Sequence, residues 1–314
     1  MIKKSDVIFL AGHEGFIGKF IFDKLKKYGY SNIITKKRAY LDLSNQSSVF
    51  SFLKKKKPKL IINAAGMTGG IYLNSFRPAD IMYNNLSIAI NIIEGARINN
   101  IRNLIQFASN ANYPEFCPQP MKEKYLLTGS LSESHEPFSI AKIATLKLAH
   151  YYNKQHYCNF KTIILPNVFG PGDNYSERNS SFFAALLKKI YLAKVKNKKN
   201  IYLWGSGNVK RELIYVEDVA EACLYFINKQ FDYDLVNIGT GIEYSIRDYA
   251  KFIMKKLNSN FKIKFKGFNK SGMRRKLMDL TILKKIGWRA KFTLDMSFVS
   301  TYIDFLNRKQ ALKN

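Results

Sequence analysis

VIFLAGHEGFIG (7–18) is the stretch on which the reading of the whole chain turns. Val7 to Ala11 is an apolar run too short for a helix and unbroken by polar positions, as expected of a strand buried on both faces. Glycines follow at 12, 15 and 18, and an amphipathic helix is expected from Ile17 to Tyr28. A strand that passes through a glycine turn into a helix gathers backbone amides and the positive end of a helix dipole at one point. GxxGxxG alone is a weak signal, because turns are rich in glycine; the strand before it and the helix after it make it a phosphate-binding turn. Gly12 permits the tight bend, Gly15 lets the backbone approach a pyrophosphate, and Gly18 lets helix pack closely on strand. His13, Phe16 and Ile17 lie in the same turn, His13 either shaping it or touching the pyrophosphate.

Outward from that turn, strand-like and helix-like segments alternate. NIIT (32–35), KLIINAAG (59–66), NLIQFAS (103–109) and FKTIILP (160–166) are expected strands, separated by expected helices at 44–55, 78–99 and 139–156. This order predicts an α/β fold with a doubly wound parallel sheet, a Rossmann fold. Beyond 167 the pattern loosens: a helix is expected at 181–194, NIYLWGSG (200–207) reads as a strand entering a turn, and 211–228 as a strand and helix. FKIKFKG (261–267) reads as a late strand. The expected division is a dinucleotide-binding domain over 1–166, to which 208–238 return, and a smaller C-terminal α/β substrate-binding domain over 167–207 and 239–314.

Which dinucleotide fits depends on the end of the second strand, where an acid would bind a ribose 2′-hydroxyl. Thr35, Lys36, Lys37 and Arg38 stand there instead, and cations welcome a 2′-phosphate, so the expected cofactor is NADP(H). Asp42 and Leu43 are expected to flank the adenine, and Ala64, Ala65 and Gly66, at the end of the third strand, to border the cofactor.

With 314 residues, 46% of them hydrophobic, the chain can bury a sizeable core. No apolar run approaches a membrane span, and the N-terminus passes from charge into a strand without a small-residue cleavage site, so a cytoplasmic protein with no membrane partner is expected. Cys117, Cys158 and Cys223 are widely spaced and read as free thiols. The net charge of +28 includes clusters at 54–57 and 194–200, but lysine and asparagine are abundant throughout and no recognition helix accompanies them. No nucleic-acid partner is expected. His135, His150 and His156 lack metal-ligand spacing, so no metal is assigned.

GHEGFIG, NAAG (63–66), Ser109 at a strand end, a helix opening SIAK (139–142), PNVFGPGDN (166–174) and WGSGNVKREL (204–213) follow one another in that order. Over about residues 7–230 they resemble the extended short-chain dehydrogenases/reductases, and among these the GDP-L-fucose synthases, which epimerise and reduce GDP-4-keto-6-deoxymannose. The resemblance implies Ser109 on a ketone oxygen, Lys142 on the cofactor ribose, and Pro166, Asn167 and Val168 beside the cofactor. It implies a tyrosine four residues before the lysine as proton donor; that position is Phe138. It implies a cysteine and a histidine for epimerisation; those positions are Ala111 and Ser181, neither of which exchanges protons near neutral pH.

The expectation is therefore an NADP-dependent C4 reductase of a GDP-linked 4-keto-6-deoxy sugar, hexose or heptose, serving capsular or other surface polysaccharide synthesis, without the epimerase groups. Phe138 leaves three readings open: an engineered Tyr→Phe, a natural enzyme with another acid, Tyr113 being nearest in sequence, or a catalytically silent homologue that binds NADP and a sugar nucleotide. Another nucleotide-sugar epimerisation or dehydration is a further alternative. For the sugar nucleotide the resemblance implies Arg211 and Lys189 on the diphosphate, Trp204 beside the nucleotide, Asn110, Ala111, Asn167 and Ser181 near the sugar, and Arg274 in a cationic loop. Asp218 is expected to cap a helix starting at Val219. A homodimer through the helices at 78–99 and 139–156 is also implied.

Overall fold

Alternation along the strands sorts the core into two layers. In β1 (Ile8–Ala11), Ile8 and Leu10 enter one apolar cluster and Phe9 and Ala11 another, because successive side chains leave a strand on opposite faces. β3 (Leu60–Asn63), β4 (Asn103–Ser109) and β5 (Asn159–Leu165) divide in the same way. The computed structural model describes residues 2–176, 179–267 and 273–308.

With β2 (Ile33–Ile34) and β9 (Leu235–Asn237), these strands form a six-stranded parallel sheet in the order β2-β1-β3-β4-β5-β9. α1 (Phe16–Lys27) and α7 (Val216–Asn228) cover one face, sharing a cluster with Ile21, Leu25, Val219 and Cys223 at its centre. α2 (Gln46–Lys56), α4 (Pro78–Ile98) and α5 (Glu136–His156) cover the other with Val49, Leu53, Ile92, Ile93 and Ala149. Fully burying each such aliphatic or aromatic side chain is worth about 1.5–3 kcal/mol.

The second half packs around Phe169, Phe183, Leu187, Ile190, Tyr249, Ile253, Phe298 and Phe305. It contains β6 (Asn167–Phe169), α6 (Phe182–Val195), β7 (Asn200–Trp204), β8 (Lys210–Tyr215), β10 (Glu243–Ser245), α8 (Ile246–Lys256), β11 (Lys262–Lys266) and α10 (Leu294–Asn307). β10-β8-β6 form one small sheet and β11-β7 another. The short α3 (Ile71–Phe76) precedes α4, and α9 (Thr281–Ile286) packs near β9.

Two departures from the sequence reading affect the site. The second strand shrinks to two residues, since it lies at the sheet edge and the chain turns into exposed residues from Lys36 to Tyr40. α5 begins at Glu136 rather than Ser139, because Pro137 is tolerated in a first turn, and this puts Phe138 inside the helix. Asp218 is not a cap. α7 starts at Val216, and the buried Asp218 carboxylate accepts the backbone N–H groups of Lys291 (2.8 Å) and Phe292 (3.1 Å), fastening the chain ahead of α10 to α7.

Candidate active site

At the head of α1, Gly12 has a left-handed φ of +79°, and a Cβ there would stand 2.6 Å from the Ala65 backbone nitrogen. A Cβ on Gly18 would lie 2.0 Å from the Gly12 carbonyl oxygen, so both positions exclude any side chain. Gly15 is the N-cap and supplies no side-chain acceptor, and the first turn of α1 carries no acid. Its leading amides are left for an anion. His13 Nδ1 is buried without a hydrogen-bond partner among the described residues. A cradle closed to side chains, free amides and an orphaned buried nitrogen together fit a pyrophosphate.

Lys36 and Arg38 are exposed beyond β2. Lys37 pairs with Glu14 across the turn at 3.2 Å, and Arg38 reaches Asp42 at 3.9 Å. Asp42 accepts the Ser44 backbone N–H (2.9 Å) and hydroxyl (2.7 Å), which hold its carboxyl below its usual range and form a tight turn around Leu43. The Leu43 carbonyl accepts from Asn91 on α4 at 3.0 Å.

The end of β4 and the start of α5 are bolted together. Asn112 accepts the Ser109 backbone N–H at 2.8 Å and donates to the Ser139 carbonyl at 3.1 Å, while the Ser139 hydroxyl donates to the Ala111 carbonyl at 2.9 Å. Asn112 and Ser139 are wholly buried, so the two segments are held at fixed separation. On this frame Ser109 ends β4, with its hydroxyl accepting the Ala111 N–H at 3.2 Å. Lys142 stands one turn along α5 from Phe138, its Nζ 5.8 Å from the centre of the Phe138 ring. The ammonium also adjoins the NAAG turn, where a Cβ on Gly66 would lie 3.6 Å away. Desolvation lowers the Lys142 pKa to about 8.

Tyr113 is not available as an acid. It is fully buried, donates its hydroxyl to Asn237 at 2.6 Å, and burial raises its pKa well above the ordinary phenol range. Its ring packs with Met121, Ile143, Ile164 and Met278, so the apolar neighbourhood that recruits it also seals it. Ala111 is buried beside it in sequence and carries no proton. Ser181 caps α6, accepting the Ala184 N–H at 3.3 Å, and donates to Asp173 at 2.7 Å. Desolvation raises the Asp173 pKa to about 6.

Arg211, on β8, gives its guanidinium to the carbonyls of Lys210 (2.8 Å) and Met273 (2.9 Å). Desolvation lowers its pKa to about 10. Lys276 is buried nearby, lowered to about 7 by desolvation and then by the Arg211 charge. His135, the residue that caps α5, is lowered to about 4 by desolvation and by both cations. Arg211 depresses Lys276 and both depress His135, against the opposing pull of Glu243 on Arg211 and of Glu115 on Lys276; a desolvated group of cations such as this suits an anion. Sequence reading missed Lys276 and His135. The expected loop cation, Arg274, is exposed, and Lys276 two residues on is the buried one; Ser271 and Gly272 of the same run lie outside the described residues.

Trp204, at the end of β7, is 89% exposed, and none of the described residues covers its ring. Lys189 is exposed on α6, and desolvation and then Lys198 lower its pKa. Asn167 donates to the Glu212 carbonyl at 3.2 Å, tying β6 to β8 next to Arg211, and Pro166 and Val168 flank it. Asn110 is buried with an unpartnered Nδ2 among the described residues.

The NAD dependent epimerase/dehydratase family matches residues 8–239. GDP-L-fucose synthase 1 of Arabidopsis thaliana is 37% identical, covering 96% of this chain and 94% of its own. Among solved structures, a GDP-D-glycero-L-gluco-heptose synthase from Campylobacter jejuni, in the presence of NADPH, superposes with a TM-score of 0.90 at 30% identity over 98% of this chain and all of its own (100%). A GDP-mannoheptose C4 reductase from the same organism, with NADP bound, gives 0.88 at 30% identity, covering 98% and 100%. The glycine cradle, the Ser109–Lys142 frame and these matches agree that the chain belongs to the NAD dependent epimerase/dehydratase family, in company with the GDP-L-fucose synthases.

Proposed function

We propose that this protein is an NADP-dependent reductase that converts the C4 ketone of a GDP-linked 4-keto-6-deoxy sugar, hexose or heptose, to an alcohol, in the cytoplasm, for a surface polysaccharide such as a capsule. The observation that carries the reading is the frame that bolts the Ser109 end of β4 to the start of α5, the helix that carries Lys142 to the NAAG turn, while the positions of an epimerase acid and base hold Ala111 and a Ser181 already engaged with Asp173. Among the described residues, no helix is long and apolar enough to cross a membrane.

In this reading the turn residues Gly12, His13, Gly15, Phe16, Ile17 and Gly18 hold the pyrophosphate of NADP. Lys36 and Arg38 take the 2′-phosphate, and Asp42 and Leu43 border the adenine. Ala64, Ala65, Gly66 and Pro166 to Val168 edge the remainder. NADPH, when bound, supplies the hydride. Ser109 hydrogen-bonds the ketone oxygen, and the Lys142 ammonium holds the ribose and stabilises negative charge as it develops there. Arg211 neutralises the diphosphate with Lys189, Trp204 stacks by the guanine, and Asn110 and Asn167 face the sugar. α4 and α5 pack side by side and expose Tyr83, Ile90, Ile98, Ile140 and Tyr151, which supports a homodimer through these helices.

NADPH oxidation by this chain with GDP-4-keto-6-deoxymannose and its heptose counterpart, with the product alcohol assigned by NMR, tests the reading. If this chain and F138Y both bind NADPH and GDP-mannose yet leave the ketone untouched, the protein is a silent binding homologue.

A further inference from the structure

Phe138 removes the phenol that would protonate the alkoxide, and the first turn of α5 carries a second proton-bearing side chain. His135 occupies the N-cap and Phe138 the third helical position, a spacing that brings side chains to the same side of a helix start. His135 Nδ1 lies 2.8 Å from the Ser134 hydroxyl, and that hydroxyl lies 3.2 Å from Ser132 Oγ. Arg211 and Lys276 both act electrostatically on the imidazole, which stands at the N-terminal end of α5, three residues before Phe138. Among the described residues its Nε2 makes no hydrogen bond.

We propose that His135 and Ser134 form the proton relay that stands in for the missing tyrosine hydroxyl. The inference rests on the C4 reductase reading. As hydride from NADPH forms the new C–H bond at C4, the C=O π pair moves to oxygen. In one concerted transfer the Nε2 proton passes to that oxygen as the Ser134 hydroxyl proton passes to Nδ1, and solvent restores the serine proton. One ketone, one NADPH and one proton become one alcohol and one NADP⁺. The ring stays neutral at every stage, which suits a histidine held far below its ordinary pKa by burial and two cations.

The test is a double-mutant cycle with NADPH and GDP-4-keto-6-deoxymannose on this chain, H135Q, F138Y and the double variant. General acid catalysis is worth about 10²–10⁴ in rate, so H135Q should lower kcat by at least about tenfold in the phenylalanine chain and by less than about twofold in the tyrosine chain. S134A should behave likewise, and the phenylalanine chain should show a curved proton inventory in H₂O/D₂O mixtures. An equal loss in both backgrounds, or none in either, overturns the relay. Imidazole ¹⁵N NMR gives a readout independent of turnover, because the chain has only four histidines. His135 should be neutral with its proton on Nε2 at pH 6; a proton on Nδ1 overturns the relay even where reduction is observed. If no variant oxidises NADPH while the NMR shows the expected tautomer, the reductase reading fails and takes the relay's role with it.

Discussion

Lys142 Nζ stands 5.8 Å from the centre of the Phe138 ring, one turn along α5, so the ammonium lies over the ring that would carry a tyrosine's hydroxyl. Adding that hydroxyl gives the lysine an acid to polarise. F138Y should raise kcat at least about tenfold, short of the full 10²–10⁴ of a general acid if the existing donor is partly effective. The single measurement is NADPH consumption at saturating GDP-4-keto sugar. An unchanged kcat would mean that proton donation does not limit turnover.

Lys142 also sets a pH limb. Desolvation lowers its pKa to about 8, which for a base means that the ammonium dominates below pH 8 and the neutral amine above it. Its roles require the charge. The rate with NADPH should therefore hold below pH 8 and fall as pH rises through it, and K142M should show a low rate with no such limb. The same shift makes the charged lysine a cost to the folded state below pH 8, relieved as pH rises towards the unfolded value near 10.5.

Half-buried Arg211 and buried Lys276 make a prediction for ligand binding. Lys276 is lowered to about 7 by desolvation and by Arg211, and a diphosphate placed beside it would raise it again. GDP binding at pH 7.5 should take up protons, seen as a dependence of calorimetric enthalpy on buffer ionisation, and affinity should weaken as pH rises above 7. K276M should abolish the uptake. R211M should weaken GDP binding by about 10- to 10²-fold, the scale of a lost charge-assisted contact of about 1.5–3 kcal/mol. Proton release on binding would show that the diphosphate lies elsewhere.

Much of this was legible in the residues, for definable reasons. The glycine turn, the parallel strands and the Ser109 and Lys142 positions announce themselves because each depends on local pattern: alternation, glycine spacing, a helix start. What was hidden depends on contacts between distant segments. Asp218 looks like a helix cap in sequence and is a clamp on residues 73 and 74 positions away. Tyr113 looks like a spare acid until Asn237, 124 positions away, is seen to hold its hydroxyl. Lys276 is one cation in a chain that has 51 lysines and arginines, and only burial singles it out from exposed Arg274.

Glu212 gives the strongest structural test. Fully buried on β8, it accepts the backbone N–H groups of Thr240 (2.6 Å), Gly241 (2.8 Å) and Met278 (2.8 Å). Two segments, 240–241 and the one that carries Lys276, are held to β8 by this carboxyl. Gln has one oxygen where Glu has two. If it faces Thr240 and Gly241, its NH₂ confronts the Met278 N–H and leaves a buried donor unpaired, at about 1–3 kcal/mol. E212Q should therefore lower stability to denaturant by about that amount and weaken GDP binding through displacement of Lys276. Burial raises the Glu212 pKa to about 7, against the pull of its donors. A carboxyl whose folded pKa lies above its unfolded value of 4.5 loses stability as pH rises from 4.5 to 7 and is level beyond, and this slope should vanish in E212Q. If E212Q unfolds at the same denaturant concentration as the parent across that range, the loop is anchored elsewhere and Lys276 owes its position to the surrounding apolar packing.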